Sequence, residues 1–175
     1  MKRRRSISPE NTKFLNDYGS RIRKCMIDYE ISESDRINNG AMLHWDRSTL
    51  RHGCFMASDL LKYCVESSKF VLGLVYTKEN IGCCNHCWIE MGDSIVDLTA
   101  TQFNSDFPNQ FPDVYIIFKN DIYNKNRDKF FYLPLYYDND AKTLLASESA
   151  RKTIGCHYNQ CLLEQLRKNL ETCLL

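Results

Sequence analysis

The segment from His86 to Phe103, HCWIEMGDSIVDLTATQF, constrains the fold more than any other part of the chain. Two runs rich in β-forming residues flank Gly92-Asp93, and Gly at the first central position suits a two-residue type II′ hairpin. That turn fixes a register, with Met91 opposite Ser94, Trp88 opposite Asp97 and His86 opposite Thr99. Alternation puts His86, Trp88 and Glu90 on one face and Cys87 on the other. Asp97 shares the face of His86 as a diagonal neighbour, roughly 7–8 Å away by Cα and within side-chain reach. A carboxylate inside the apolar run Ile95-Val96-Asp97-Leu98 is costly to bury alone. It therefore needs a His or Arg partner, or an exposed edge.

Residues 1–12 are basic and polar and read as a flexible arm, leaving 13–175 as a single domain. Phe14, Leu15, Tyr18, Ile22, Met26 and Ile27 recur at helical spacing over Thr12 to Glu30, with Asn11 or Thr12 as cap. A second helical stripe, Met56, Leu60, Cys64 with Ala57, Leu61, Val65, runs from Cys54 to about Ser68. Phe70–Tyr76, Val114–Phe118 and Phe130–Tyr137 are further strand candidates, the first built around one Gly. Residues 138–153 are polar with a short helix at most, and Tyr158–Leu174 is amphipathic on Leu162, Leu163, Leu166 and Leu170. Helices, then mostly antiparallel strands, then a helix make an α+β architecture.

Composition removes several function classes. Basic and acidic residues number 23 and 22, for a net charge of +1, so nothing draws the chain to nucleic acid or an anionic membrane. The basic run Lys2–Arg5 has no stacking aromatics beside it, and a solvated tail explains it. No stretch approaches 18 uninterrupted apolar residues. Ser6-Ile7-Ser8-Pro9-Glu10 follows the basic start where a signal peptide would need an apolar run, so a cytoplasmic location is expected. Export of a toxin or effector without a classical signal is compatible with the same residues. Nine cysteines at irregular spacings, in a chain of 175 residues, favour free thiols over a disulfide framework.

A thiol attacks only as a thiolate, so a reactive cysteine needs its pKa lowered. Cys54 follows Gly53 at the head of the second helix, where unpaired N–H groups and the helix dipole favour negative charge. Those N–H groups can also form part of an oxyanion hole, and Gly53 lets the backbone approach a substrate carbonyl. His86 can take the thiol proton, Asp97 can orient the imidazole, and Trp88 can wall it from water. Cys54, His86 and Asp97 are thus the candidate catalytic residues, with Gly53, Trp88 and Gln102 around them.

At these residues the chain resembles the transglutaminase-like branch of the papain-like cysteine enzymes. The resemblance lies in Gly53-Cys54-Phe55-Met56-Ala57-Ser58, His86-Cys87-Trp88-Ile89-Glu90 and Val96-Asp97-Leu98-Thr99. It implies a nucleophile helix packed on an antiparallel sheet, and a Cys-His-Asp triad for peptidase, deamidase or transglutaminase chemistry. It also implies a peptide or protein substrate and no cofactor. The papain pattern has a Gln shortly before the Cys. Asp46–His52 contains none, so a side-chain oxyanion donor must come from elsewhere, such as Asn38, Asn39 or Gln102.

Rival readings attach to the same residues. Against this stand the readings of Cys54 as a small buried core residue and of His86 as a strand histidine bonded to a carbonyl. Cys84 and Cys87 have the spacing of half a zinc site, which Cys156 with Cys161 or His157 would complete. On that reading the chain is a non-catalytic binding module stabilised by zinc. His44 and His52 read as loop histidines, with His52 an alternative base. Tyr132, Tyr136 and Tyr137 read as sheet packing.

Overall fold

The computed structural model describes residues 8–29, 46, 48–51, 53–77, 83–104, 111–123, 130–138 and 160–174. In chain order the elements are helix α1 (Pro9–Asp28), helix α2 (Cys54–Cys64) and strands β1 (Lys69–Thr77), β2 (Cys83–Met91) and β3 (Ser94–Asp97). A 3₁₀ turn (Ala100–Phe103), β4 (Tyr115–Phe118), the one-turn α3 (Lys119–Ile122), β5 (Phe130–Asp138) and α4 (Gln160–Leu174) follow. The class is α+β, with an open antiparallel sheet ordered β4-β3-β2-β1-β5. Among the described residues no helix is long and apolar enough to cross a membrane.

α1 starts earlier than its apolar spacing predicts, inside the segment read as an arm. Ser8, not Asn11 or Thr12, is the cap, its Oγ accepting from Asn11 N–H at 3.1 Å. Pro9 can open the helix because an N–H at that position would be unpaired anyway. Leu15, Gly19, Ile22 and Met26 face the core. α2 stops at Cys64, four residues short of the predicted end, where Val65 N–H folds back onto Leu61 and Lys62 carbonyls. The short helix expected in 138–153 lies outside the described residues.

The β2–β3 hairpin has the predicted turn. Met91 pairs with Ser94 around Gly92-Asp93, and Gly92 takes φ +57° while Asp93 does not adopt positive φ. The ladder stops at Ile89↔Val96, so Thr99 does not pair with His86 as expected. The reason is local: the Asp97 carboxylate captures Thr99 N–H and hydroxyl, which turns the chain into the 3₁₀ segment.

Strand alternation divides two cores. Cys87 and Ile89 of β2 and Phe70 and Leu72 of β1 face α1, α2 and α4, where Phe55, Leu60, Leu61, Leu163, Leu166 and Leu170 are buried. Trp88, Val71 and Val75 face a second, aromatic cluster of Phe103, Phe111, Phe130 and Tyr132. Gly73 lies opposite His86, and a methyl group there would collide with the Leu133 carbonyl and sit 2.5 Å from Trp88 Cη2. The single glycine of β1 is therefore the space into which the indole packs. Beyond it the β1–β5 register slips from Leu72↔Tyr136 to Gly73↔Pro134, leaving Leu135 as an exposed bulge on an edge strand that tolerates Pro134.

Candidate active site

Asp97 ends β3 with its side chain wholly buried. Four donors fill its carboxylate: His86 Nε2 (2.6 Å) and Tyr132 OH (2.6 Å) on Oδ2, and Thr99 N–H (2.7 Å) and Oγ1–H (3.0 Å) on Oδ1. A carboxylate has about four acceptor sites, so this one is saturated and held as an anion. Burial pushes Asp97 up, but the His86 charge and these hydrogen bonds win and hold it below the usual carboxylate range. An acceptor-only Asp97 requires Nε2 of His86 to carry a proton. The imidazole's other nitrogen, Nδ1, is left for the thiol.

Cys54 is the first residue of α2 after Gly53, partly exposed, and hydrogen-bonded to His86 and to Cys87. The Cys87 side chain and backbone N–H both donate toward its sulfur. The Cys87 hydrogen bond, followed by the bond and charge of His86, outweighs burial and pulls the Cys54 thiol well below its ordinary value. Burial works to neutralise His86, yet Asp97 and Cys54 together hold the imidazole well above its ordinary value. Both shifts favour a thiolate–imidazolium pair over a neutral thiol and imidazole.

No family model, curated protein or solved structure matches the chain. The chemistry must therefore be read from the side chains themselves.

Gln102, one of the side chains considered as an oxyanion donor, lies beside the imidazole. Its Nε2 donates to Thr99 O at 3.0 Å and stands 3.3 Å from His86 Nδ1, on the nitrogen that serves the thiol. Gly53 caps α2 without a side chain, and its own N–H goes to Leu50 O at 2.8 Å. Trp88 is fully buried, its ring 6.2 Å from the imidazole. Asn38, Asn39, His44 and His52 lie outside the described residues, as do Cys156, His157 and the side chains of Cys83, Cys84 and Cys161. Among the described residues no three His, Cys, Asp or Glu side chains gather as a metal site.

Three supports went unread in the sequence. Tyr132 reaches across from β5 to Asp97, although its strand pattern marks it only as packing. Arg23, buried on α1, donates to Leu98 O and Thr101 Oγ1 and pairs with Asp113 at 2.8 Å. It lies near enough for the Asp97 charge to act on it, so a second cation supports the carboxylate. Thr101 in turn donates to Thr49 O at 3.1 Å, tying the 3₁₀ segment to the loop before Cys54. In that loop Asp46 accepts from Ser48 N–H (2.9 Å), Ser48 Oγ (2.7 Å) and Thr49 Oγ1 (2.9 Å), and Leu50 is buried at φ 55°. An Asp-x-Ser-Thr turn signal was available there; the long-range reach of Arg23 and Tyr132 had none.

Behind the imidazole, Trp88 Nε1 donates to Tyr123 OH (2.9 Å), which donates to Glu90 Oε1 (2.5 Å). Lys119 pairs with the other Glu90 oxygen. The Glu of the His-x-Trp-x-Glu segment thus fixes the Trp rather than the His. Burial, with the hydrogen bond to Glu90, keeps the Tyr123 phenol protonated far above its ordinary value.

Proposed function

We propose that this chain is a thiol hydrolase or acyltransferase with a papain-like, transglutaminase-like core, acting on an amide of a peptide or protein. One observation carries the reading: Cys54 at a helix head, hydrogen-bonded to an imidazole whose far nitrogen is held by a saturated, buried Asp97. Core cysteines and strand histidines do not need that relay.

The Cys54 thiolate attacks the amide carbonyl carbon, and the C=O electron pair moves onto oxygen. N–H groups of the first α2 turn and the Gln102 amide are the donors available to that oxyanion. His86 Nδ1–H gives its proton to the amide nitrogen, the C–N bond breaks, and an amine leaves behind an acyl-thioester. Neutral His86 then takes a proton from water, whose oxygen attacks the thioester, and Cys54 leaves as thiolate. Asp97 stabilises the imidazolium throughout without taking its proton. Hydrolysis of a backbone amide makes a peptidase and of a side-chain carboxamide a deamidase; an amine acceptor in place of water makes a transglutaminase. Hydrolysis ranks first, since it needs only water as the acceptor.

The test is competitive alkylation. Limiting iodoacetamide near pH 6.5 should modify Cys54 first among the nine cysteines, and His86→Ala should slow it by about 10-fold or more. Uniform labelling of all exposed thiols, unaffected by His86→Ala, would sink the proposal.

A further inference from the structure

Cys87 is not required by the proposed reaction, yet its thiol is hydrogen-bonded to the Cys54 thiol. It projects from β2 into the helix-side core, with Cys54 packed against that cluster from the head of α2. Both are free thiols, Cys87 buried and Cys54 partly exposed. Of the other free cysteines with described side chains, Cys25 directs its S–H to Leu166 O at 3.7 Å and Cys64 closes the far end of α2. The pair at the active site thus combines a thiol that solvent can reach with one that it cannot.

We propose that Cys54 and Cys87 are an oxidative modification site, in which a hydroperoxide attacked by Cys54 is followed by closure of a reversible Cys54–Cys87 disulfide. The proposal rests on the nucleophile reading of Cys54. In the first step the Cys54 thiolate attacks one peroxide oxygen; an S–O bond forms, the O–O bond breaks, and the departing alkoxide or hydroxide takes the His86 proton to leave as an alcohol or water. Cys54 is then a sulfenic acid. Next the Cys87 sulfur attacks Cys54 Sγ, the S–O bond breaks, and water departs with the Cys87 proton. Overall, two thiols and one hydroperoxide give a disulfide, an alcohol (or water) and water, with two electrons passing from the sulfur pair to oxygen. A dithiol reductant reverses the closure by exchange.

The two environments set the order of events. Cys54 is partly exposed and its thiol is pulled well below its ordinary value, whereas burial, then the bond to Cys54, raises the Cys87 thiol well above its ordinary value. Cys87 therefore waits as a thiol until the sulfenic acid forms beside it. Without such a neighbour, a sulfenic acid continues to the irreversible sulfinic acid.

The test uses the full chain and hydrogen peroxide at a few equivalents. The expected result is a mass loss of about 2 Da, a Cys54–Cys87 cross-link in the non-reducing peptide map, and loss of Cys54 alkylation that dithiothreitol restores. In Cys87→Ser the same dose should instead add about 32 Da at Cys54, with no recovery of alkylation. Sulfinic acid at Cys54 of the unsubstituted protein without the cross-link would overturn the proposal, and that map decides even if the variant fails to fold. Alkylation before oxidation separates the two readings. Fast labelling of Cys54 with no cross-link overturns the disulfide alone; slow labelling overturns the nucleophile.

Discussion

Tyr132 and Asp97 meet across two strands, the phenol of β5 donating at 2.6 Å to the carboxylate oxygen that also holds His86. Both groups are fully buried, so neither can replace the other with water. Tyr132→Phe keeps the ring packing and removes one donor from a buried anion. A hydrogen bond to a charged group contributes about 1.5–3 kcal/mol, so the variant should unfold at correspondingly lower urea. An unchanged midpoint would mean that the bond is not made.

Asp97→Asn tests the other side of the relay. The amide cannot act as an acceptor-only anion, so His86 loses both its orientation and the charge that keeps it protonated. The Cys54 thiol should then rise toward its ordinary value as the His86 contribution is lost, lowering its thiolate fraction at mildly acid pH. The measurement is the pH profile of Cys54 alkylation. A midpoint that does not move would place the stabilisation in the helix head and Cys87 instead.

The hairpin and the His86–Asp97 pairing were legible because they follow from a two-residue turn and strict alternation, which are local rules. The head of α2 was legible for the same reason, since Gly53 and the apolar stripe mark it. What escaped the sequence is long-range or competitive. Thr99 left the ladder because a nearby carboxylate outbid the strand for its N–H, and α1 began at Pro9 because a proline there loses no hydrogen bond. Arg23 and Tyr132 reach the site from elements 75 and 35 residues away, and no periodicity encodes such a reach.

Arg23 should behave as a positioning residue. Its guanidinium fork joins Leu98 O, Thr101 and Asp113, which a single ammonium cannot reproduce. Arg23→Lys should lower stability by about 1–3 kcal/mol and slow Cys54 alkylation at saturating pH only slightly. Arg23→Met, which leaves the Leu98 carbonyl and Asp113 without the charge, should cost more by urea denaturation. Equal stability of all three proteins would remove Arg23 from the support of the Asp97 turn.

Gly73→Ala should disturb the site without touching a titratable group. The added methyl meets the Leu133 carbonyl and Trp88 Cη2, and backbone on the β5 side cannot yield as a side chain would. Overpacking of this kind costs about 1–3 kcal/mol, and the indole should be displaced from Tyr123. Tryptophan fluorescence reports the displacement, and Cys54 alkylation reports whether it reaches His86. A variant with the parent's emission and stability would show that the indole has room to move.

The buried pair makes stability depend on pH at both ends. Asp97 is depressed in the folded state, so its contribution is complete above the unfolded value of about 3.9 and is lost as pH falls through the folded one. His86 is raised, so its contribution is complete below about 6.5 and is lost as pH rises through its folded value. Between those limits carboxylate and imidazolium are both charged and both paired. Urea unfolding as a function of pH should therefore show stability falling on the alkaline side above neutrality as well as at acid pH. In Asp97→Asn the alkaline fall should flatten, because the imidazole then has only Cys54 to raise it. If the alkaline limb were identical in that variant, the imidazolium would owe its charge to Cys54 alone.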